Sequence, residues 1–492
     1  MTFLSAFLSD DLSTSLRGRY DAYAYGAWGL SLAVAAAQLA ARGARGREDE
    51  AARWLGWSAA AVGGYAILQS LGFDPIFKIK ELPTGGRAVS TLGSPVDLGA
   101  FLALLWPVAL RRLDAERGAL PAVLAAAVAG GLVASGSRGA LLAACAGTAG
   151  YWLMSRREGR SALPAALGIA ALASAFAVSW SFRSGATVRD LSRIEVWKAA
   201  LAAFQRRPWL GWGPDGFEDA FKMLRSDRFV ELLGSSTYQA YAHNDLLHVL
   251  SGMGLLGAAA YAWLLVVLCL AAKQALQAPE GRARAAALFS GLLALWVNLA
   301  LNPVATEVVV LAAVCAGLLA SATAPPNSRE APRPLLVLLA GLASVSLIYA
   351  AVLARADASY KRGAKAHVAG DFAAARKHIA FARRTAPCEL SYITGELNAI
   401  HDWINATRVV DARLELLALA DAAGAAAVAC HPRKSLAHYA AGSAARMRAD
   451  LGFSDRLPVA IGEFDRALEL DPKFVPLLNA RRDAARLLPP AR

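Results

Sequence analysis

The chain carries no P-loop and no Rossmann dinucleotide fingerprint, so nothing in it points to a nucleotide as substrate or cofactor. Cysteine is scarce, five in 492 residues, and no His, Cys, Asp or Glu cluster has metal-ligand spacing. No metal and no cofactor is therefore expected. Acidic residues are the minority charge, 38 against 51 Lys and Arg, which leaves a formal net charge of +13. On a soluble protein that balance suggests nucleic acid. Here many of the arginines stand in short segments between apolar blocks, where they orient a chain in a membrane, so no nucleic-acid partner is expected. Residues 1–22 lack the basic start and apolar stretch of a cleavable signal, so insertion is expected to depend on the first apolar block.

What the sequence has in abundance is apolar residue, 56% of the chain, with a mean hydropathy of +0.39. The residues fall in blocks of about 18–24, long enough to cross a hydrocarbon core of about 30 Å. About ten such blocks can be drawn, near 23–41, 54–71, 91–110, 120–136, 140–154, 162–180, 246–270, 285–301, 304–322 and 335–353. The expected fold class is therefore all-α: a polytopic membrane protein with about ten transmembrane helices, membrane lipids around them, and a helical C-terminal domain. Arg42/Arg45/Arg47/Arg53, Arg111/Arg112/Arg117, Arg156/Arg157/Arg160, Lys273/Arg282/Arg284 and Arg329/Arg333 fall on one side if every block crosses. The positive-inside rule makes that side cytoplasmic and turns the N-terminus, the 181–245 loop and the C-terminal domain outward. The expected domains are an N-terminal segment at 1–22, a membrane domain at 23–354 containing the large 181–245 loop, and a helical domain at 355–492.

The 181–245 stretch is the one long polar interruption. Arg189 and Arg193 are four apart and share a face if 188–204 is helical. Two like charges on one face call for a bridging anion, and the planar Arg fork suits phosphate oxygens; Asp190 and Glu195 are the alternative counter-charges. Pro208-Trp209-Leu210-Gly211-Trp212-Gly213-Pro214 reads as a compact turn, its Trp pair placed either on sugar faces or in the interfacial aromatic belt. The loop re-joins the apolar pattern at His243-Asn244. His243 is a general-base candidate because its unperturbed pKa, about 6.5, lets it take a proton near neutrality; a structural histidine at an interface is the alternative. His248, on one helical face with Asn244, is either a second polar group in the cavity or a packed residue, and the packed reading is preferred.

Three other features stand out. Ser137-Arg138-Gly139 separates two apolar blocks with almost no loop, so Arg138 sits either at a tight outward hairpin or in a wet cavity, since mid-bilayer Arg costs roughly 2.5–3.5 kcal/mol. Asp97 stands near the start of the third block, either functional or reaching to the interface. Cys145, Cys269 and Cys315 read as core residues, while Cys388 and Cys430 either pair in an oxidising compartment or stay as two buried thiols. After residue 354 the chain turns charged and Ala-rich. Gly363, Gly370, Phe372, Ala375, Ile379, Ala382 and Pro387, and again Ala460, Phe464, Ala467 and Pro472, fit the 34-residue helix-turn-helix repeat called TPR, a surface for a protein partner.

His243-Asn244 followed by Gly254-x-x-Gly257, with Arg193-Ile194-Glu195-Val196-Trp197, Arg207–Gly213 and Ser137-Arg138-Gly139-Ala140 before it, resembles the O-antigen ligase and Wzy-type polymerase superfamily. The resemblance covers roughly 93–319. These are bacterial inner-membrane, multi-pass glycosyltransferases, and the large loop and C-terminal domain would then face the periplasm. The resemblance implies a metal-independent, inverting transfer of a glycan from undecaprenyl diphosphate to an acceptor hydroxyl. In that reading His243 deprotonates or orients the hydroxyl, Arg138, Arg189 and Arg193 hold the diphosphate, and Asn244, Gly254 and Gly257 support the site. The sequence departs from the family at Gly252, where many members carry Glu, and in having fewer spans.

The acceptor stays open among a glycan chain end, lipid A–core and a protein Ser/Thr, that is, polymerase, ligase or protein O-oligosaccharyltransferase. From another class, a transporter or flippase of lipid-linked glycan would show matching interrupted segments in two halves, and no such symmetry is visible. A membrane scaffold would leave the His-Asn motif unexplained.

Overall fold

The structure is a computed structural model that describes residues 2–19, 26–77, 82, 86–155, 186–321 and 333–488, with 166, 168–170, 172–174 and 176–177 in addition. Among these residues the secondary structure is helical and no strand occurs. Two short helices, α1 (Thr2–Phe7) and α2 (Leu12–Arg17), come first. The apolar blocks follow as α3 (Ala27–Gly43), α4 (Glu48–Ser70), α5 (Pro95–Ala115), α6 (Ala119–Ser135) and α7 (Arg138–Ser155). Next come three helices of the polar stretch, α8 (Ala186–Arg206), α9 (Phe217–Leu224) and α10 (Asp227–Leu233). They are followed by α11 (Asp245–Gln277), α12 (Arg282–Leu299), α13 (Thr306–Ser321) and α14 (Arg333–Val368). The C-terminal region contains α15 (Phe372–Thr385), α16 (Leu390–Ala406), α17 (Val410–Cys430), α18 (Ser435–Asp450), α19 (Leu457–Leu470) and α20 (Val475–Arg486). The block expected at 162–180 lies largely outside the described residues, as do Arg156, Arg157, Arg160, Arg183, Arg329 and most of 78–85.

Among the described residues two helices, α11 and the 337–368 part of α14, are long and apolar enough to cross a membrane. Only 11% and 6% of their most apolar windows are buried within the protein. A core helix of a soluble protein would hide that surface, so these faces are suited to lipid. Cys269, expected in the core, is exposed on α11 for the same reason.

The membrane-domain core is built around α5, whose Leu98, Leu102, Leu104 and Leu105 are fully buried. Ser94 caps it by accepting from the Val96 and Asp97 amides, and Pro95 fits the first turn because its missing N–H would be unpaired there anyway. Helices α4, α6, α7 and α12 pack around it. Small residues permit the close approach: a Cβ on Gly131 would lie 2.5 Å from Gly63 Cα, so α4 and α6 meet backbone to backbone.

The polar stretch folds on its own small core of Val196, Ala199, Ala200, Phe217, Phe221, Phe229 and Ala242. In the C-terminal region each helix packs against the next from α14 to α20, giving a stacked helical array. Helix α14 runs unbroken through residues 354 and 355, carrying the array on the same rod that holds the apolar segment. Cys388 and Cys430 form a disulfide between the start of α16 and the end of α17.

Candidate active site

The site is built where the polar stretch returns to the apolar bundle. Asn244 caps α11, its Oδ1 accepting from the Leu247 amide at 3.0 Å. Its Nδ2 donates to the Ala300 carbonyl at 3.3 Å, beyond the end of α12. Asn244 thus fixes the helix start rather than lining a cavity with His248. The preceding residue, His243, is held at φ +52°, a left-handed conformation uncommon for a side chain with a Cβ. That turn sets the imidazole against Gln239, whose Oε1 accepts from Nε2 at 3.1 Å. With Nε2 carrying the proton, Nδ1 presents a lone pair, and Nδ1 is shielded from solvent without a hydrogen-bond partner. Burial, then the Arg193 charge and His248, push the His243 pKa down to about 4. The imidazole is neutral at neutral pH, the form a base requires.

Arg193 lies on α8, half-buried, and its charge acts on His243. Glu195, the expected counter-charge, is occupied elsewhere: it accepts from Lys198 at 2.7 Å and from Ser226 at 2.6 Å. Arg189 lies one turn earlier on the same helix, which begins at Ala186; its side chain is outside the described residues. Arg138 opens α7 two residues after Gly136, which ends α6 at φ +54°. Arg87 braces that turn, its Nε donating to the Ser135 carbonyl at 2.7 Å. Sequence reasoning missed Arg87, whose only signal was a lone Arg in a Gly-rich loop.

The segment 298–302 links the two halves of the site. A Cβ on Gly139, next to Arg138, would fall 2.2 Å from Asn302 Nδ2, while Ala300 receives Asn244. Asp97 joins the same edge by accepting from the Ala305 amide at 2.8 Å. Arg138 and the His243-Asn244 pair therefore flank one short turn, and Arg193 stands beside His243.

The glycines of the motif act through the backbone. Gly254 breaks the helical path of α11 at φ +64°, ψ −162°. Into that break docks the Pro208–Gly213 turn, with Leu255 N–H on Pro208 O (2.7 Å), Trp212 N–H on Ser251 O (3.0 Å) and Gly213 N–H on Gly252 O (2.8 Å). A Cβ on Gly252 would meet the Gly213 carbonyl at 3.0 Å, so the two backbones pack closely there. Trp212 is buried, its Nε1 donating to Ala203 O and its ring covered by Arg207, while Trp209 is exposed. The run Gly211-x-Gly213-x-x-Gly216 has only the glycine spacing of a dinucleotide fingerprint; it joins two helices and lacks the preceding strand that the fingerprint requires.

His248 is buried against Phe217 and Tyr241, with Nε2 3.7 Å from Asp215 Oδ1. It braces the loop, as its packed position on the sequence suggested. Asp215 accepts the Arg19 amide at 2.8 Å, and the Arg19 guanidinium covers the Tyr241 ring at 5.7 Å.

Residues 122–262 match the family described as O-antigen ligase. The matched segment contains Arg138, Arg189, Arg193, His243, Asn244, Gly254 and Gly257, and supports a role in the O-antigen ligase superfamily, among membrane glycan ligases and polymerases. It ends within α11, so α12, α13 and the C-terminal array lie outside it. A comparison with curated proteins finds no match.

Proposed function

We propose that the protein is a membrane glycosyltransferase that moves a glycan from undecaprenyl diphosphate to an acceptor hydroxyl, without a metal and with inversion at the anomeric carbon. The observation that carries the reading is the state of His243: neutral, its Nδ1 lone pair unused, beside a cationic Arg193. A group placed so can take a hydroxyl proton as the oxygen attacks the anomeric carbon. The leaving diphosphate carries the negative charge, and Arg138, Arg189 and Arg193 are the cations assigned to it. Binding of that anion offsets the Arg193 charge and brings the imidazole back toward its ordinary basicity, so the base is strengthened when donor is present. General-base assistance of this kind typically supplies about 10²–10⁴-fold.

In this reading about ten helices cross the bacterial inner membrane, the 186–245 region and the C-terminal array face the periplasm, and the array is TPR-like. The Cys388–Cys430 disulfide supports that side, since such bonds persist in oxidising compartments. The test is transfer by purified protein supplied with undecaprenyl-diphosphate glycan and candidate acceptors. His243→Ala is expected to fold, to lose at least about 100-fold in turnover, and to leave lipid-linked donor accumulating in cells. Full turnover by that variant removes His243 as the base.

A further inference from the structure

A polar cavity lies next to the framework of the site. It has a volume of about 230 Å³ and its walls come from three parts of the chain: α2 and the residues after it, the polar stretch, and the C-terminal array. Arg17 and Arg19 come from the first, Glu218 and Tyr238 from the second, and Tyr360, Glu389, Ser391 and Thr394 from the third.

The charges in this wall are matched. Arg19 pairs with Glu218 at 3.2 Å, Lys434 with Asp11 at 2.9 Å, and Arg17 faces Glu389 closely enough to act on its carboxyl. A free ion of either sign would meet no net attraction. What remains is a mixed set of donors and acceptors: the Ser391 hydroxyl, the Thr394 Oγ1, which donates to the Leu390 carbonyl and keeps lone pairs to accept, and two tyrosine rings. Hydroxyls, carboxylates and guanidinium groups with an aromatic face suit a neutral, polyhydroxylated ligand. The cavity also touches the site's framework, because Arg19 lies over Tyr241, two residues before His243.

We infer that this junction cavity binds sugar residues of the glycan remote from the reacting one, so that the C-terminal array and the N-terminal segment take part in glycan recognition. The inference rests on the glycosyltransferase reading. The sugars come either from the donor glycan or from a glycan acceptor; the chemistry is the same, and kinetics separates the two.

The experiment uses the full-length protein in detergent and, as probe, the oligosaccharide released by mild acid from the undecaprenyl-linked glycan of the producing cells. Binding is measured calorimetrically for wild type and for the Ser391→Ala/Thr394→Val double variant, which removes two hydroxyls with little change in volume. The expected result is binding by wild type and roughly tenfold weaker binding by the variant at an unchanged melting temperature. In transfer assays the KM should rise with kcat unchanged, for the donor if the cavity holds donor sugars and for the acceptor if it holds acceptor sugars. Thr394→Trp, which fills the space, should act in the same direction; should it not fold, the double variant decides. Equal affinities for wild type and variant, or no binding by wild type, overturns the inference. Oligosaccharide binding that the variant weakens, without any transfer, upholds the cavity and overturns the glycosyltransferase reading.

Discussion

Arg225 and Asp471, 246 residues apart, form an ion pair at 2.6 Å with both side chains buried. Arg225 also donates to the Thr237 carbonyl at 2.7 Å, so the pair ties the loop between α9 and α10 to the end of α19. A second tie runs through the N-terminal segment: Asp10 accepts from Arg207 and from Arg433, and Asp11 holds His431 and Lys434. The C-terminal array is thus seated on the polar 186–245 stretch and the N-terminal segment by these ion pairs.

Removing one member of such a pair strands the other. Arg225→Ala is expected to cost about 3–5 kcal/mol, while Arg225→Met with Asp471→Leu should recover most of the loss, because two apolar side chains need no counter-charge. Denaturant unfolding measures the cost, and limited proteolysis should show the array released in the single variant only.

The pH dependence of the reaction should carry the mark of His243. Its lowered pKa means that the imidazole is still neutral well below 6.5, so the acid-side break in kcat/KM belongs near pH 4 in the free enzyme. Taking away the Arg193 charge removes the largest influence on His243 after burial, so Arg193→Gln should move that break upward as well as weaken donor use. A profile that breaks at 6.5 in wild type, or that Arg193→Gln leaves in place, contradicts the assignment.

Gly254 and Gly234 both have positive φ, yet they should respond differently to Ala. At Gly234 (φ +86°, ψ +157°) a Cβ meets open space, and only the strain of a backbone region nearly confined to glycine remains, about 1–3 kcal/mol. At Gly254 the same atom lies 2.4 Å from the Trp209 carbonyl carbon, so the Pro208–Gly213 turn must move. Gly254→Ala is expected to lose activity and more stability than Gly234→Ala, measured by melting temperature and turnover together.

The Cys388–Cys430 bond closes a separation of 42 residues. In the chain-entropy account that is worth about 4 kcal/mol. Cys388→Ser should lower the melting temperature of the array accordingly. Thiol labelling of wild-type protein from intact cells should find Cys388 and Cys430 blocked, as the proposed periplasmic location requires.

Acid should weaken the seat of the array. Burial alone would raise the Glu218 carboxyl, but Lys222, Lys434 and Arg19 hold it at about 2, below its ordinary 4.5. A depressed folded-state pKa contributes stability above about 4.5 that fades as pH falls toward 2. Melting temperature should therefore be insensitive to this group from pH 5 to 8 and fall below that.

Much of the helical pattern was legible because apolar period and block length act locally. The blocks ending at Leu71, Leu110 and Gly136 end within a few residues of α4, α5 and α6. Arg138 and Arg193 were legible because charge beside apolar sequence is conspicuous, and His243 because it stands where the pattern resumes. The role of Gln239 was not, since an uncharged residue four positions before a histidine shows nothing until the backbone at His243 turns left-handed. Nor was that of Asp10 and Asp11, whose partners lie about 200 and 420 residues away. The sequence by itself determined much of the helical pattern and the polar gap, and it singled out the cationic candidates, because hydrophobicity and charge are properties of single side chains. Tertiary structure alone decided that Gly252 and Gly254 pack against a distant turn, that Nδ1 of His243 is the free nitrogen, and that the two ends of the chain close over the loop. Those depend on which backbones meet, and no residue type encodes its partner.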